Sequence, residues 1–125
     1  TDPQPADALA RAQAHAAKGE LQGAFLLYRY AAEKGDMTAS VALAAMYDPA
    51  TYSAQTSPLP AANPAEAARW YEPAAQAGQA EAQYRLGMLL KSGATADTDG
   101  PEKGVSWPRK AADQGYAPAQ EELKK

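Results

Sequence analysis

Few side chains of this chain are of the types that carry out chemistry. It holds one histidine, His15, and no cysteine. A lone histidine has no second metal ligand and no acid–base partner at H-x-x-x-H or E-x-x-H spacing. The serines lack the G-x-S-x-G context of an activated nucleophile, and no glycine-rich phosphate-binding motif is present. We therefore predict no catalysis, no metal ion and no cofactor.

One short segment imitates part of a calcium-binding loop. Asp97-Thr98-Asp99-Gly100 matches the centre of the pattern D-x-D-x-D-G-x5-E. Thr95 stands at the first ligand position, and Ser106 stands where the bidentate acid is needed. Turn chemistry ahead of Pro101 is the better interpretation of this segment.

Charge and hydropathy exclude several kinds of partner. The net charge is −3, and acidic and basic residues are mixed along the chain. This distribution argues against binding to nucleic acid or to an anionic membrane surface. No apolar run reaches the roughly 18 residues of a membrane span. The lack of cysteine excludes disulfides and fits both the cytosol and an oxidising compartment.

Three segments share an Ala-Ala pair followed three positions later by glycine. They are Ala31-Ala32 with Gly35, Ala74-Ala75 with Gly78, and Ala111-Ala112 with Gly115. The second glycine follows the first by 43 residues, and the third follows the second by 37. A period of this length is typical of stacked helical hairpins, in which each unit buries its apolar face against the next.

Aligning the segments on these glycines brings further residues into register. The matched sets are Ala39, Ala82 and Ala119; Leu43, Leu86 and Leu123; and Leu27, Trp70 and Trp107. Small residues at matched positions let helices approach closely, whereas leucine and tryptophan fill the space between hairpins. We accordingly assign both tryptophans to the core, with ligand stacking as the alternative.

Turn and cap signals divide the chain into elements. We predict helices over residues 6–18, 23–34, 37–47, 64–77, 80–91, 101–114 and 118–123. They form one domain, 6–125, after a disordered lead-in at 1–5: hairpins at about 6–35, 36–78 and 79–115, then a terminal helix within 116–125 as a cap.

Particular residues mark the ends of these helices. We expect Gly19 to be a left-handed C-cap and Asp36 an N-cap, with a turn at 20–22. Asn63 followed by proline and, at 66, glutamate is the clearest helix start. The proline-rich segment 48–63 has no charge after its first residue and predicts a long loop.

The middle of the chain resembles the Sel1-like repeat family, a relative of the tetratricopeptide repeat. The resemblance rests on Ala68–Gly78, ARWYEPAAQAG, and on Ala82–Gly93, AQYRLGMLLKSG. Departures are Leu90 where the family favours tyrosine, Ala44 where it favours glycine, and the interior prolines Pro73 and Pro108. The resemblance implies an all-α fold, a right-handed α–α superhelix of about three hairpins plus a C-terminal capping helix.

The same resemblance implies a non-catalytic adaptor or scaffold whose partner is another protein or peptide. In bacteria such proteins often act in envelope processes or signalling. We expect a monomer that binds no nucleic acid. The start of the chain looks like that of a mature protein, which favours the bacterial periplasm or envelope over the cytoplasm. Two alternatives stay open: an inhibitor or immunity-type partner of a secreted enzyme, and a peptidoglycan- or glycan-associated module.

The resemblance also implies where the partner binds, because the first helices of successive hairpins line the concave face of such an array. The candidate residues there are Tyr84, Arg85, Met88 and Lys91, with Arg11 on an earlier helix. The alternative is that Tyr84 and Met88 merely pack against helix 37–47. The loop 48–63 is a second candidate surface, with Tyr52 and Leu59 as contacts, unless it only crosses the edge of the array.

Overall fold

Helices account for the regular secondary structure of the described residues, which are 4–93 and 100–125 of this computed structural model. The helices are α1 (Pro5–Ala17), α2 (Leu21–Glu33), α3 (Met37–Tyr47), α4 (Pro64–Gln76), α5 (Ala80–Lys91), α6 (Gly100–Asp113) and α7 (Ala117–Leu123). The predicted all-α fold is therefore confirmed, and helix ends differ from the predicted ones by the small amounts usual for frayed termini. The chain divides into two compact units, residues 1–70 and 71–125.

The Ala-Ala-x-x-Gly segments end their helices with one repeated backbone motif. In each, the N–H of the residue after the glycine donates to the first alanine carbonyl, and the glycine N–H donates to the second. The glycines Gly35, Gly78 and Gly115 have φ values of +97°, +97° and +88°. This is the Schellman arrangement, which requires a left-handed residue at its centre. The repeat predicted from spacing is thus present in the backbone itself.

The helices after these glycines begin with one repeated conformation as well. Asp36, Gln79 and Tyr116 occupy the N-cap positions of α3, α5 and α7, with φ near −74° and ψ of 114°, 117° and 109°. Only the aspartate caps with its side chain: its Oδ1 accepts from the Ala39 N–H at 2.9 Å. The Gln79 and Tyr116 side chains make no cap hydrogen bond.

We predict that Gln79→Asp stabilises the protein by about 1 kcal/mol, the usual contribution of an N-cap side chain. The backbone at this position matches that of Asp36, so an aspartate has the geometry to cap α5. The substitution also removes Gln79 Oε1, a buried oxygen without a hydrogen-bond partner among the described residues. Urea unfolding would measure the change, with Asp36→Ala as the reciprocal control. An unchanged or lower unfolding midpoint in Gln79→Asp would contradict the prediction.

The core of the first unit is built mainly from alanine on facing helices. Alanines of α1, α2 and α3 are fully buried at 0 % exposure: Ala8, Ala12, Ala24, Ala31, Ala39 and Ala44. Their small side chains bring the helices close, and Phe25, Tyr28 and Leu43 fill the remaining volume. Phe25 meets Tyr47 edge to face, with ring centroids 6.1 Å apart. The uncharged helix α3 buries Leu43 completely, as its composition predicts.

The long loop 48–63 caps the C-terminal end of α3. The last carbonyls of a helix have no partner within it. Here Thr51 Oγ1 donates to the Ala45 carbonyl at 2.6 Å, and Ser57 Oγ donates to the Met46 carbonyl at 3.1 Å. The Asn63 N–H donates to the Tyr47 carbonyl at 2.8 Å. The length of this loop therefore has a structural reason, because successive carbonyls are reached by groups spread over its whole extent.

We predict that Ser57→Ala destabilises the first unit by about 1–3 kcal/mol, the cost of leaving a buried polar group unpaired. Ser57 is buried, so water cannot replace its hydroxyl at the Met46 carbonyl. Ser53→Ala is the matched control, because the Ser53 hydroxyl bonds only at the exposed surface of the same loop. Thermal unfolding followed by circular dichroism compares the two. Equal shifts for both variants would show that the loop does not hold α3 in this way.

Helices α5 and α6 of the second unit touch at two glycines. A Cβ atom at Gly87 would lie 2.3 Å from Pro108 Cδ. A Cβ atom at Gly104 would lie 2.7 Å from the backbone nitrogen of Lys91 and 2.8 Å from its Cα. The interior proline of α6 thus sits in the space that a glycine of α5 leaves open.

Two local predictions require correction. The sequence predicts a turn at residues 20–22 between α1 and α2, but Leu21 already begins α2. The tryptophans are predicted to lie in the core, but both are only partly buried. Trp70 lies at the edge of the core of the first unit and packs against it. In the three aligned helices, the buried position is the residue that follows Leu27, Trp70 or Trp107. Its occupants Tyr28, Tyr71 and Pro108 are buried.

Candidate functional site

Helix α5 has one buried side and one partly exposed side. The buried residues are Ala82, Gln83, Leu86, Gly87, Leu89 and Leu90. Tyr84, Arg85 and Met88 are partly exposed. Positions separated by three and four residues lie on the same side of a helix, so these three side chains share one face. We call the side chains of Tyr84, Arg85 and Met88, together with the ring of Tyr116, the α5 face.

Two tyrosines and an arginine stack on the α5 face. The rings of Tyr84 and Tyr116 have centroids 5.7 Å apart and are inclined by 51°. The Arg85 guanidinium carbon lies 5.6 Å from the centre of the Tyr84 ring, within cation–π distance. Tyrosine and arginine are the residue types that contribute most often to protein–protein binding energy.

The surroundings of Tyr116 on the α5 face raise the pKa of its hydroxyl. Loss of hydration on burial raises the pKa of its phenol, and the nearby Glu81 carboxylate raises it further. Arg85 has the opposite effect and lowers the pKa, while Tyr84 raises it. The net direction is upward from the ordinary value of 10.0, so the hydroxyl is a hydrogen-bond donor at neutral pH.

A network of glutamines holds the turn that carries Tyr116. Gln114 Nε2 donates to the Gly78 carbonyl at 2.8 Å and to Gln83 Oε1 at 2.9 Å. Gln83, which is 5 % exposed, in turn donates to the Ala75 carbonyl at 3.1 Å. These bonds tie the turn before α7 to the turn before α5, and so they fix the two tyrosine rings side by side.

Sequence reasoning missed Tyr116, Gln83 and Gln114 as members of this arrangement. A signal for Tyr116 is present when the repeats are aligned on their glycines, because Tyr116 occupies the N-cap position of α7 that Asp36 fills at the start of α3. An aromatic residue cannot cap a helix with its side chain. Its presence at a capping position therefore indicates a contact elsewhere, which here is the ring of Tyr84.

Lys91 lies at the end of α5 and is engaged in an ion pair. Its Nζ is 3.3 Å from Glu122 Oε1 of α7. Hydrogen bonds from Lys91 and Lys125 lower the pKa of the Glu122 carboxyl. The structure thus gives Lys91 an internal contact that joins α5 to α7.

The other predicted binding residues lie in the first unit. Arg11 is exposed on α1. Tyr52 donates its hydroxyl to the Leu59 carbonyl at 2.7 Å, and the Leu59 side chain packs against the core of that unit. Both loop residues therefore stabilise the loop. Of the seven predicted residues, Tyr84 and Arg85 are brought into contact, with Met88 on the same face of α5.

The remaining residues with possible chemistry do not gather into a site. His15 Nδ1 lies 3.1 Å from Glu20 Oε1 across the turn between α1 and α2. Among the described residues, no three histidine, aspartate or glutamate side chains are placed to hold a metal ion. The calcium-like segment at 97–99 lies outside the described residues. No helix in the described part is long and apolar enough to cross a membrane.

Comparison with known proteins identifies the repeat. The family model described as Sel1 repeat matches residues 20–36, 43–79 and 80–116. No curated protein matches the chain. Sel1 repeats are typically modules for protein–protein interaction and are generally non-catalytic. Since the three matched stretches cover more than half of its length, the chain belongs to the Sel1 repeat family.

Proposed function

We propose that this protein is a non-catalytic adaptor that binds a partner protein or peptide on the α5 face. The observation that carries the proposal is the stacked group of Tyr84, Tyr116 and Arg85, which is partly exposed and fixed by the glutamine network. Lys91 and Arg11, with the loop residues Tyr52 and Leu59, are secondary to this group.

The physical basis of binding is a preformed surface. Ordering side chains and backbone on association costs free energy, about 0.5–1.5 kcal/mol for each immobilised flexible side chain. On the α5 face, the two tyrosine rings already pack together, and hydrogen bonds hold the turn behind them. A partner therefore gains contact with large aromatic surfaces without ordering them first.

We predict that Tyr84→Ala abolishes or strongly reduces partner capture from extracts of the source cells, by at least about tenfold, as expected for a central aromatic contact. Tyr30→Ala is the matched control, since Tyr30 is a partly exposed tyrosine of α2 with the Lys34 ammonium 5.6 Å from its ring. Immobilised wild type and both variants would be compared by quantitative mass spectrometry.

Thermal unfolding of the same samples keeps this test interpretable. If Tyr84→Ala proves unfolded, Met88→Ala replaces it, because Met88 is partly exposed on the same face. Partners that depend on Tyr30 but not on the α5 face would overturn the proposal. Retention of every partner by the folded α5 variants would do the same.

A further inference from the structure

We propose that the segment bound by the α5 face is acidic and that Arg85 binds its carboxylate; this inference rests on the proposed function. Arg85 differs from every other basic residue of the chain. It is partly buried, whereas the remaining lysines and arginines are all exposed.

Arg85 also has no ion-pair partner among the described residues. No carboxylate of residues 4–93 and 102–125 lies at ion-pair distance from its guanidinium. Partial burial removes water from a charged group, and this cost is recovered only when a group of opposite charge takes the place of that water. A guanidinium that is partly dehydrated and unpaired is therefore suited to a carboxylate, which it binds through two parallel hydrogen bonds.

The neighbours of Arg85 define what surrounds that carboxylate. Glu81 lies one helical turn before Arg85, and its negative charge disfavours a second acid on that side. Met88 lies nearly one helical turn after Arg85, and its side chain and the two tyrosine rings offer partly exposed apolar surface. The expected ligand is thus an acidic residue with an aromatic or aliphatic neighbour, placed over Met88 and the rings.

The net negative charge of the protein opposes the binding of acidic peptides. At −3, the protein as a whole weakly repels acidic peptides. Selection of acidic sequences therefore requires a local cationic site, and it cannot arise from general electrostatic attraction.

Selection from a library of random twelve-residue peptides displayed on phage tests the inference. The intact protein is used as wild type, as Arg85→Gln and as Arg69→Gln. Arg69 is the matched control, because its guanidinium also lies over an aromatic ring, that of Trp70 at 5.1 Å, but it has an ion pair with Glu66 at 3.5 Å. Both variants change the net charge by the same amount.

We expect wild type and Arg69→Gln to select peptides enriched in Asp or Glu beside an apolar residue, and Arg85→Gln to lose that enrichment. The affinity of the best synthetic peptide should fall about tenfold in Arg85→Gln, the loss typical of a charge-assisted hydrogen bond. It should fall by a similar factor when the peptide Glu is replaced by Gln. Selected peptides that require Tyr84 but are not acidic would overturn this inference and leave the proposed function standing. Acidic enrichment that persists in Arg85→Gln would also overturn it, and recovery of no binding peptide would contradict both.

Discussion

Gly104→Ala is expected to destabilise the second unit by about 3 kcal/mol or more, the upper range for overpacking a helix interface. The added Cβ would lie 2.7–2.8 Å from backbone and Cβ atoms of Lys91. Backbone atoms cannot move away by a change of rotamer, so α5 and α6 must separate. The gain in helix propensity from glycine to alanine, about 1 kcal/mol, is too small to offset this separation. Urea unfolding gives the change in free energy.

The chain offers a control for this substitution within α2. Gly23 is also a helical glycine, but the nearest atoms to a Cβ there belong to the His15 ring, at the ordinary contact distance of 3.4 Å. Gly23→Ala should therefore be neutral or stabilising by up to about 1 kcal/mol through helix propensity alone. Gly87→Ala should behave like Gly104→Ala, because the rigid ring of Pro108 stands 2.3 Å from the added atom. A stabilising effect of Gly104→Ala would show that the two helices do not touch here.

The backbone of the repeat was predictable from sequence because it depends on local chemistry. An Ala-Ala pair before glycine supplies two carbonyls and a residue free to adopt positive φ, and every copy forms the same Schellman motif. Asp36 and Asn63 cap their helices as predicted, since capping needs only a side-chain oxygen within three residues.

The candidate site was harder to predict because its contacts join residues far apart in the chain. Tyr84 and Arg85 follow from the place of α5 in the repeat, but the ring that stacks on Tyr84 belongs to Tyr116. Residues Gln83 and Gln114 are 31 positions apart and bond through side chains. No periodicity in the sequence predicts which two glutamine side chains form a hydrogen bond with each other. The contacts of the loop 48–63 are equally hard to predict. The hydroxyls of Thr51 and Ser57 donate to backbone carbonyls of α3, and nothing in the sequence distinguishes them from hydroxyls that face solvent.

Leu86→Ala is expected to cost about 3–5 kcal/mol of unfolding free energy, the range for removing a fully buried leucine. Leu86 is 2 % exposed on the buried side of α5, so removal of its side chain leaves a cavity there. Loss of this side chain also weakens support for the α5 face, so partner binding should weaken in proportion to the population that unfolds locally. Unfolding in urea and hydrogen exchange of α5 amides would measure the two effects.

The same substitution at Leu123 should cost less than about 1 kcal/mol, because the cavity and transfer contributions scale with the surface that is buried. Leu123 is 44 % exposed, although Leu43 and Leu86 at the equivalent repeat positions are 0 % and 2 % exposed. The comparison separates two explanations for leucine at this position. If its contribution came from helix propensity alone, both variants would be unchanged or slightly more stable, since alanine is a better helix former than leucine. If it comes from burial between helices, the loss at Leu86 exceeds that at Leu123 several-fold, and a ratio near one would contradict the burial of Leu86 on α5.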